Sequence, residues 1–267
     1  MEVNTKVNLS GLTLDNPVIP ASGTFGFGKE YVDFYDINIL GSISIKGTTV
    51  QRRKGNPQPR IAECYSGLIN SVGLENPGMD NVIQKELKDL EKSYRKPVIA
   101  NISGFSVEEY VTLAREMDKV DNVGIIEVNI SCPNVDHGGL AFGTNADNVR
   151  ELTKKIKEVT TKPVYMKLSP NVTDIKEIAR AAEEGGADGI SLINTLMGMR
   201  IDINRRKPVI ANKKGGFSGP AIFPVALRMV YEVYEATNLP IIGIGGISSA
   251  EDVIEMMMAG ATAVQIG

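Results

Sequence analysis

Short apolar runs rich in Val and Ile recur along the chain: Pro17–Pro20, Gly41–Ile45, Pro97–Asn101, Gly124–Asn129, Pro163–Leu168, Gly189–Ile193, Pro240–Ile244 and Ala261–Ile266. Runs of this length, bounded by Gly, Pro and Asn, read as buried strands. Between most of them the apolar positions change to a helical period. Ser106–Met117 opens with Ser106-x-x-Glu109, a capping box in which each side chain satisfies an orphan backbone N–H. Ser248-x-x-Glu251 opens another helix, with Val253, Ile254 and Met257 on one face. Thr173–Glu183 and Phe223–Ala236 fit the same period. Strands alternating with helices predict an α/β fold with a parallel sheet. Eight such units in 267 residues predict a closed (β/α)8 TIM barrel. An open sheet would place a phosphate loop after its first strand, and here the glycine-rich turns come late.

Three regions depart from the alternation. "VNLSGLTL", residues 7–14, reads as a small N-terminal hairpin ahead of the first barrel strand. Residues 52–78 and 199–221 are too long and too rich in Pro and Gly for simple connections, and read as insertions over the C-terminal face. After the eighth strand the chain reaches Gly267, where a barrel needs an eighth helix, so a missing continuation is expected. No repeat, low-complexity segment or linker interrupts residues 1–267, which are expected to form a single domain.

Charge and cysteine content narrow the function classes. The net charge is −3 with no basic stripe, so nucleic acid is not the expected partner. No apolar run approaches the roughly 20 residues that span a bilayer, so no membrane association is expected. Two cysteines, Cys64 and Cys132, suit a reducing, cytoplasmic setting, and are too few for an iron–sulfur cluster.

In a barrel, functional groups gather at the C-terminal ends of strands. Those ends hold Ser22, Lys46, Asn101, Asn129, Lys167, Asn194, Gly245-Gly246 and Gly267. Asparagines and lysines make a poor core but a good polar ligand site. "GIGGIS" after the seventh strand and "QIG" after the eighth suit a phosphate cradled by backbone N–H groups and a helix N-terminus. Ser248 stands where a dinucleotide fingerprint needs its third glycine, so no bound NAD is expected in this chain. Lys167 lies inside an otherwise apolar strand, and a buried lysine needs an anion or strong acceptors. Lys46 follows the same logic. His137 is the only histidine; a lone loop histidine reads as solvated, so no Ser–His–Asp arrangement is expected, and a histidine zinc cluster is excluded. Cys64 reads as structural. Cys132 follows the Gly124–Ile130 run and precedes Pro133 and the glycines 138 and 139. A free cysteine is ordinarily a small buried apolar residue, but a thiol at a strand end can also serve as a proton acceptor.

"PASGTFGFG", "NSVGLENPG", "NISCPN", "KLSPNVTDI", "INTLMG", "GGFSGPAIFP" and "PIIGIGGISSAEDVIEMMMAGATAVQIG" occur in this order through essentially the whole chain. Together they resemble the dihydroorotate dehydrogenase family, of the class 1 type that uses cysteine as its base. "GTFGFGKEY" and "INTLMG" resemble its NAD-dependent 1B subgroup. The resemblance implies an FMN-dependent oxidoreductase of pyrimidine biosynthesis that oxidises dihydroorotate to orotate. It matches Cys132 to the base. It matches Lys46, Asn70, Ser71, Val72, Gly73, Leu74, Asn129, Asn194 and Thr195 to substrate-holding positions. It matches Ser22, Lys46, Gly47, Asn101, Asn129, Lys167, Ile193, Gly219, Gly245, Gly246 and Gly267 to FMN contacts, with Lys167 near the pyrimidine end of the flavin. It further implies an electron-transfer partner subunit carrying FAD and a [2Fe-2S] centre, and a heterotetramer. Two alternatives stay open: dihydropyrimidine dehydrogenase, against which "NSVGLENPG" argues, and a flavin-free phosphate-binding barrel.

Overall fold

The computed structural model of the chain describes residues 3–131 and 142–267; Cys132 and His137 lie outside the described residues. Seven parallel strands form one sheet in the spatial order Val18–Pro20, Ala263–Ile266, Ile241–Ile244, Gly189–Leu192, Val164–Lys167, Val123–Asn129, Val98–Ile102. The expected second strand, Gly41–Ile45, is not a regular strand. Its backbone divides its hydrogen bonds between the two edges of the sheet. Gly41 N donates to Val18 O at 2.9 Å and Ser44 N to Pro20 O at 3.4 Å, while Ile45 N donates to Ile99 O at 3.0 Å. Ile99 N returns a bond to Ile43 O at 2.9 Å, and parallel bridges join Ser44 to Ile99 and Thr48 to Ile102. This segment closes the barrel.

Alternation along each strand sorts side chains between two cores, because successive residues point to opposite faces. Val98, Ala100, Ile102, Ile126, Val128, Val164 and Met166 pack in the layer that includes helix residues Tyr110, Leu113, Val149 and Ile178. Ile99, Ile125, Tyr165, Ile242 and Ala263 face inward and pack with Leu9 and Leu14. Those leucines come from the expected hairpin, Val7–Leu9 paired with Leu12–Leu14, which plugs the end where the strands begin. One inward step further along the strands stand Asn101, Glu127, Lys167 and Gln265, all buried, with Ser44 and Ser191. The barrel is therefore apolar at its floor and polar above it.

The outer helices include Val107–Asp118, Ala146–Lys157, Ile175–Glu184, Phe223–Ala236 and Ala250–Met258. Ser106 caps the first as expected, accepting from Glu109 N at 3.3 Å, but the Glu109 carboxylate accepts from Phe105 N at 2.7 Å, one residue earlier than a capping box requires. The last helix is capped by Ser249 with Asp252 rather than by Ser248 with Glu251. Asp252 accepts from both Ser248 N at 2.8 Å and Ser249 N at 3.1 Å, so the adjacent serines share one carboxylate. The two insertions are not independent covers. Leu196–Met199, Lys214–Ser218, Gly67–Asn70 and Ile61–Cys64 form one four-stranded antiparallel sheet. It stands at the C-terminal end of the barrel, since Leu196–Met199 follows directly on Gly189–Leu192.

The floor generates a specific stability prediction. Tyr165 lies across Gly189, where an added Cβ would fall 2.2 Å from the ring. Its hydroxyl meets Ser10 Oγ in the hairpin turn at 3.0 Å. Gly189→Ala is expected to lower stability by about 1–3 kcal/mol through overpacking. Pairing it with Tyr165→Leu should recover part of that loss, because the two sites are in contact. Denaturant midpoints of both single variants and the double variant check this; strictly additive losses contradict it.

Candidate active site

Three groups of side chains converge on the C-terminal end of the barrel. The first is the buried polar layer. The Glu127 side chain is fully buried, with Lys167 Nζ 3.7 Å from its Oε2. Asn101 Nδ2 donates to Oε2 at 2.6 Å, Ser44 Oγ to Oε2 at 3.3 Å, and Gln265 Nε2 to Oε1 at 2.8 Å. Burial pushes the Glu127 carboxyl up, but the Lys167 ammonium, with the Asn101 and Gln265 donors among others, outweighs it and holds the group below its ordinary value. Asn101 Oδ1 and Gln265 Oε1 are buried without a hydrogen-bond partner. Leaving a buried acceptor unmet costs about 1–3 kcal/mol.

The second group is an amide and hydroxyl cluster at the ends of neighbouring strands. Asn129 Oδ1 accepts from Ser131 Oγ at 2.8 Å and from Asn194 Nδ2 at 3.3 Å. Asn194 Nδ2 also reaches Ser131 Oγ at 2.7 Å, while its Oδ1 accepts from Thr195 N at 2.7 Å. Tyr110 Oη donates to Asn129 O at 2.8 Å from the helix behind. Asn171 holds the following turn, donating to Thr195 O at 3.0 Å and accepting from Met197 N at 2.8 Å. Thr195 packs over Gly216, where a Cβ would fall 1.9 Å from its hydroxyl. Gly216 is paired with Asn70, so Thr195 and Asn70 are both neighbours of this glycine.

The third group is the loop from Asn70 to Gly78 with Lys46 and Gly47. Asn76 organises it: its Nδ2 donates to Leu74 O at 2.7 Å and Thr49 Oγ1 at 2.8 Å, and its Oδ1 accepts from Gly78 N at 2.9 Å. Asn56 fixes the start, donating through Nδ2 to Ser71 O at 2.9 Å and through N to Val72 O at 2.9 Å. Gly73 has φ +79° and a Cβ there would strike Asn56, so that position requires glycine. Leu74 is itself left-handed, with φ 57°, and its side chain reaches toward Gly47. Ser71 Oγ is buried and unpartnered. A Cβ on Gly47 would fall 2.9 Å from Asn101 Oδ1, which joins this loop to the polar layer. Lys46 is half-buried, with Gly23 O 3.5 Å from its Nζ. Burial pulls its proton affinity down, and Glu75 opposes that shift.

Glycines occupy the remaining rim. Gly245 and Gly246 have φ +131° and +72°, and a Cβ on Gly246 would fall 2.6 Å from Phe223 N. The glycine pair therefore lies against the start of helix Phe223–Ala236, which has no side-chain cap. The next helix, Ala250–Met258, is already capped by its own residues. Ile193 N donates to Ile244 O at 2.9 Å beside Gly245. Gly219 leads into the uncapped helix, held against Ser66 and Gly67. Ser22 follows the first strand, and Gly267 sits beside Thr24.

The sequence-derived positions thus fall on one end of the barrel, with Cys132 outside the described residues. Sequence reasoning passed over Glu127, Gln265, Ser131, Asn76 and Asn171. A glutamate within "GIIEVN" and a lysine within "YMKL", each at an inward position near its strand end, was the available signal for the buried pair.

Comparison with known proteins places the arrangement. Residues 4–267 match the family model described as dihydroorotate dehydrogenase. A Bacillus cereus protein named dihydroorotate dehydrogenase B (NAD(+)), catalytic subunit, is 58% identical over 262 residues, covering 98% of this chain and 84% of the relative. A Halalkalibacterium halodurans protein of the same name is 58% identical over 261 residues, covering 98% of this chain and 85% of the relative. With matched motifs along the whole barrel and its polar end, the chain belongs to the dihydroorotate dehydrogenase family.

Proposed function

We propose that this chain oxidises dihydroorotate to orotate in pyrimidine biosynthesis, as the FMN-binding catalytic subunit of an NAD-linked enzyme, with residues 1–267 acting as one barrel domain. The observation that carries the reading is the buried polar layer opening onto a rim of amides and glycines. Its residues fit FMN. An uncapped helix start behind Gly245 and Gly246 suits a phosphate, and the unmet Asn101 oxygen and the Lys167 ammonium suit a polar heterocycle. Ser22, Lys46, Gly47, Asn101, Asn129, Lys167, Ile193, Gly219, Gly245, Gly246 and Gly267 would hold it. When bound, FMN supplies the hydride acceptor.

The chain's own residues supply the rest. Asn70, Asn129 and Asn194 carry amides that both donate and accept, which suits the alternating N–H and C=O groups of a pyrimidine ring. Ser71, Val72, Gly73, Leu74 and Thr195 close the substrate position around them. Lys46, a half-buried ammonium with one long described hydrogen bond, is suited to the substrate carboxylate. Cys132 takes the proton from carbon 5 as hydride departs from carbon 6, leaving the ring double bond of orotate. Electrons then pass to NAD⁺ through a partner subunit carrying FAD and a [2Fe-2S] centre, in a heterotetramer. Among the described residues no group of His, Cys, Asp and Glu could hold a metal ion, and no helix is long and apolar enough to cross a membrane.

Cys132→Ser is expected to keep FMN and to slow flavin reduction by dihydroorotate at neutral pH by about 10²-fold or more, since a serine hydroxyl is a poor proton acceptor. Stopped-flow absorbance measures this, and wild-type rates in the variant contradict the assignment. Lys167→Ala should weaken FMN retention and lower the flavin reduction potential by removing the nearby positive charge. Spectroelectrochemistry reads the potential, and an unchanged value contradicts the proposed placement. The purified chain alone should reduce dyes with dihydroorotate but not NAD⁺. Robust NAD⁺ reduction without a second subunit contradicts the proposed electron path.

A further inference from the structure

The proposed chemistry uses Lys167 and Asn101 but assigns nothing to Glu127, the most deeply buried charge in the barrel. An ionised carboxylate has no donor, so any carboxamide within hydrogen-bond distance must turn its NH2 toward it. Asn101 Nδ2 at 2.6 Å and Gln265 Nε2 at 2.8 Å do so, from strands on opposite sides of Val123–Asn129 around the barrel. The oxygens of these same two carboxamides are buried without a hydrogen-bond partner. One carboxylate thus dictates the direction of both amides. It also faces the Lys167 ammonium at 3.7 Å. The strands flanking Lys167 set Asn129 and Ser191 in register with it, and neither can titrate. Glu127 is the acidic group paired with Lys167 among the described residues.

We propose that Glu127 is a positioning residue that sets the donor and acceptor pattern of the flavin site: it turns the Asn101 and Gln265 oxygens away from itself as acceptors and holds Lys167 as a charged donor. The cationic donor suits a carbonyl oxygen on the pyrimidine side of a flavin, and the two acceptors suit N–H and O–H donors such as the imide N–H and the ribityl hydroxyls. The inference rests on the FMN reading of the site. A glutamine at 127 keeps the shape but can itself donate, so the two amides lose their fixed direction and the buried lysine loses its counter-charge.

The test is FMN binding to apoprotein by fluorescence titration, with the visible absorption spectrum of the bound flavin as a second readout. Glu127→Gln is expected to bind about tenfold or more weakly and to shift the absorption bands of the bound flavin, because Asn101 and Gln265 are no longer fixed as acceptors toward it. Glu127→Asp retains the charge but cannot span both amides, so it should bind more weakly than wild type and shift the bands less than the glutamine variant. It also serves if the glutamine variant fails to fold. Wild-type affinity in either variant overturns the inference, as does a glutamine variant whose bound flavin keeps the wild-type spectrum. If wild-type apoprotein itself does not bind FMN, the flavin reading falls, and this inference with it.

Discussion

A carboxylate sealed inside a closed barrel must be answered by the chain, because stripping an ion of water costs several kcal/mol even after relaxation. Glu127 is answered from around the whole ring. Lys167 comes from one neighbouring strand and Asn101 from the other, Gln265 from a strand further round, and Ser44 from the segment that closes the sheet. Lys167, Asn101 and Gln265 sit one inward step above Tyr165, Ile99 and Ala263 of the floor. The polar layer and the hydrophobic plug beneath it are therefore two consequences of the same alternation. Breaking the ion pair from one side would leave an uncompensated charge, which binds the architecture of the barrel to the chemistry of its open end.

Above that layer, the site is built by side chains that spend their hydrogen bonds on backbone. Asn76 ties Leu74, Thr49 and Gly78 together, and Asn171 ties Thr195 to Met197. Such residues hold loops that contain left-handed positions, Gly73 and Leu74 among them. The two insertions pair with each other, so that Asn70 lies within one antiparallel sheet and Thr195 immediately before another of its strands, Leu196–Met199.

Much of this was legible before any coordinates. The Val- and Ile-rich runs marked the seven regular strands, because a parallel sheet covered on both faces needs continuous apolar segments. The hairpin and most helices were equally plain. The Gly41–Ile45 run failed as a regular strand because its N–H groups serve two edges at once. The last helix cap was misplaced by one residue because Ser248 and Ser249 are adjacent candidates, and Asp252 rather than Glu251 has the reach to decide between them. At the site, polar residues leaving strands were visible as a set. Glu127 was not, since a single acidic residue within an apolar run reveals its partners only when the strands are placed side by side. Ser131, Asn76 and Asn171 escaped for a related reason: Ser131 bonds to amide side chains and the two asparagines bond largely to backbone, contacts that sequence spacing does not encode.

The most direct test of the account is an anaerobic titration of the purified, FMN-loaded chain, following flavin absorbance as dihydroorotate is added, with dihydrouracil in a parallel cell. The account predicts bleaching by dihydroorotate with one orotate formed per flavin reduced, and little or no bleaching by dihydrouracil. A flavin that stays oxidised with dihydroorotate, or is reduced by dihydrouracil instead, would contradict it.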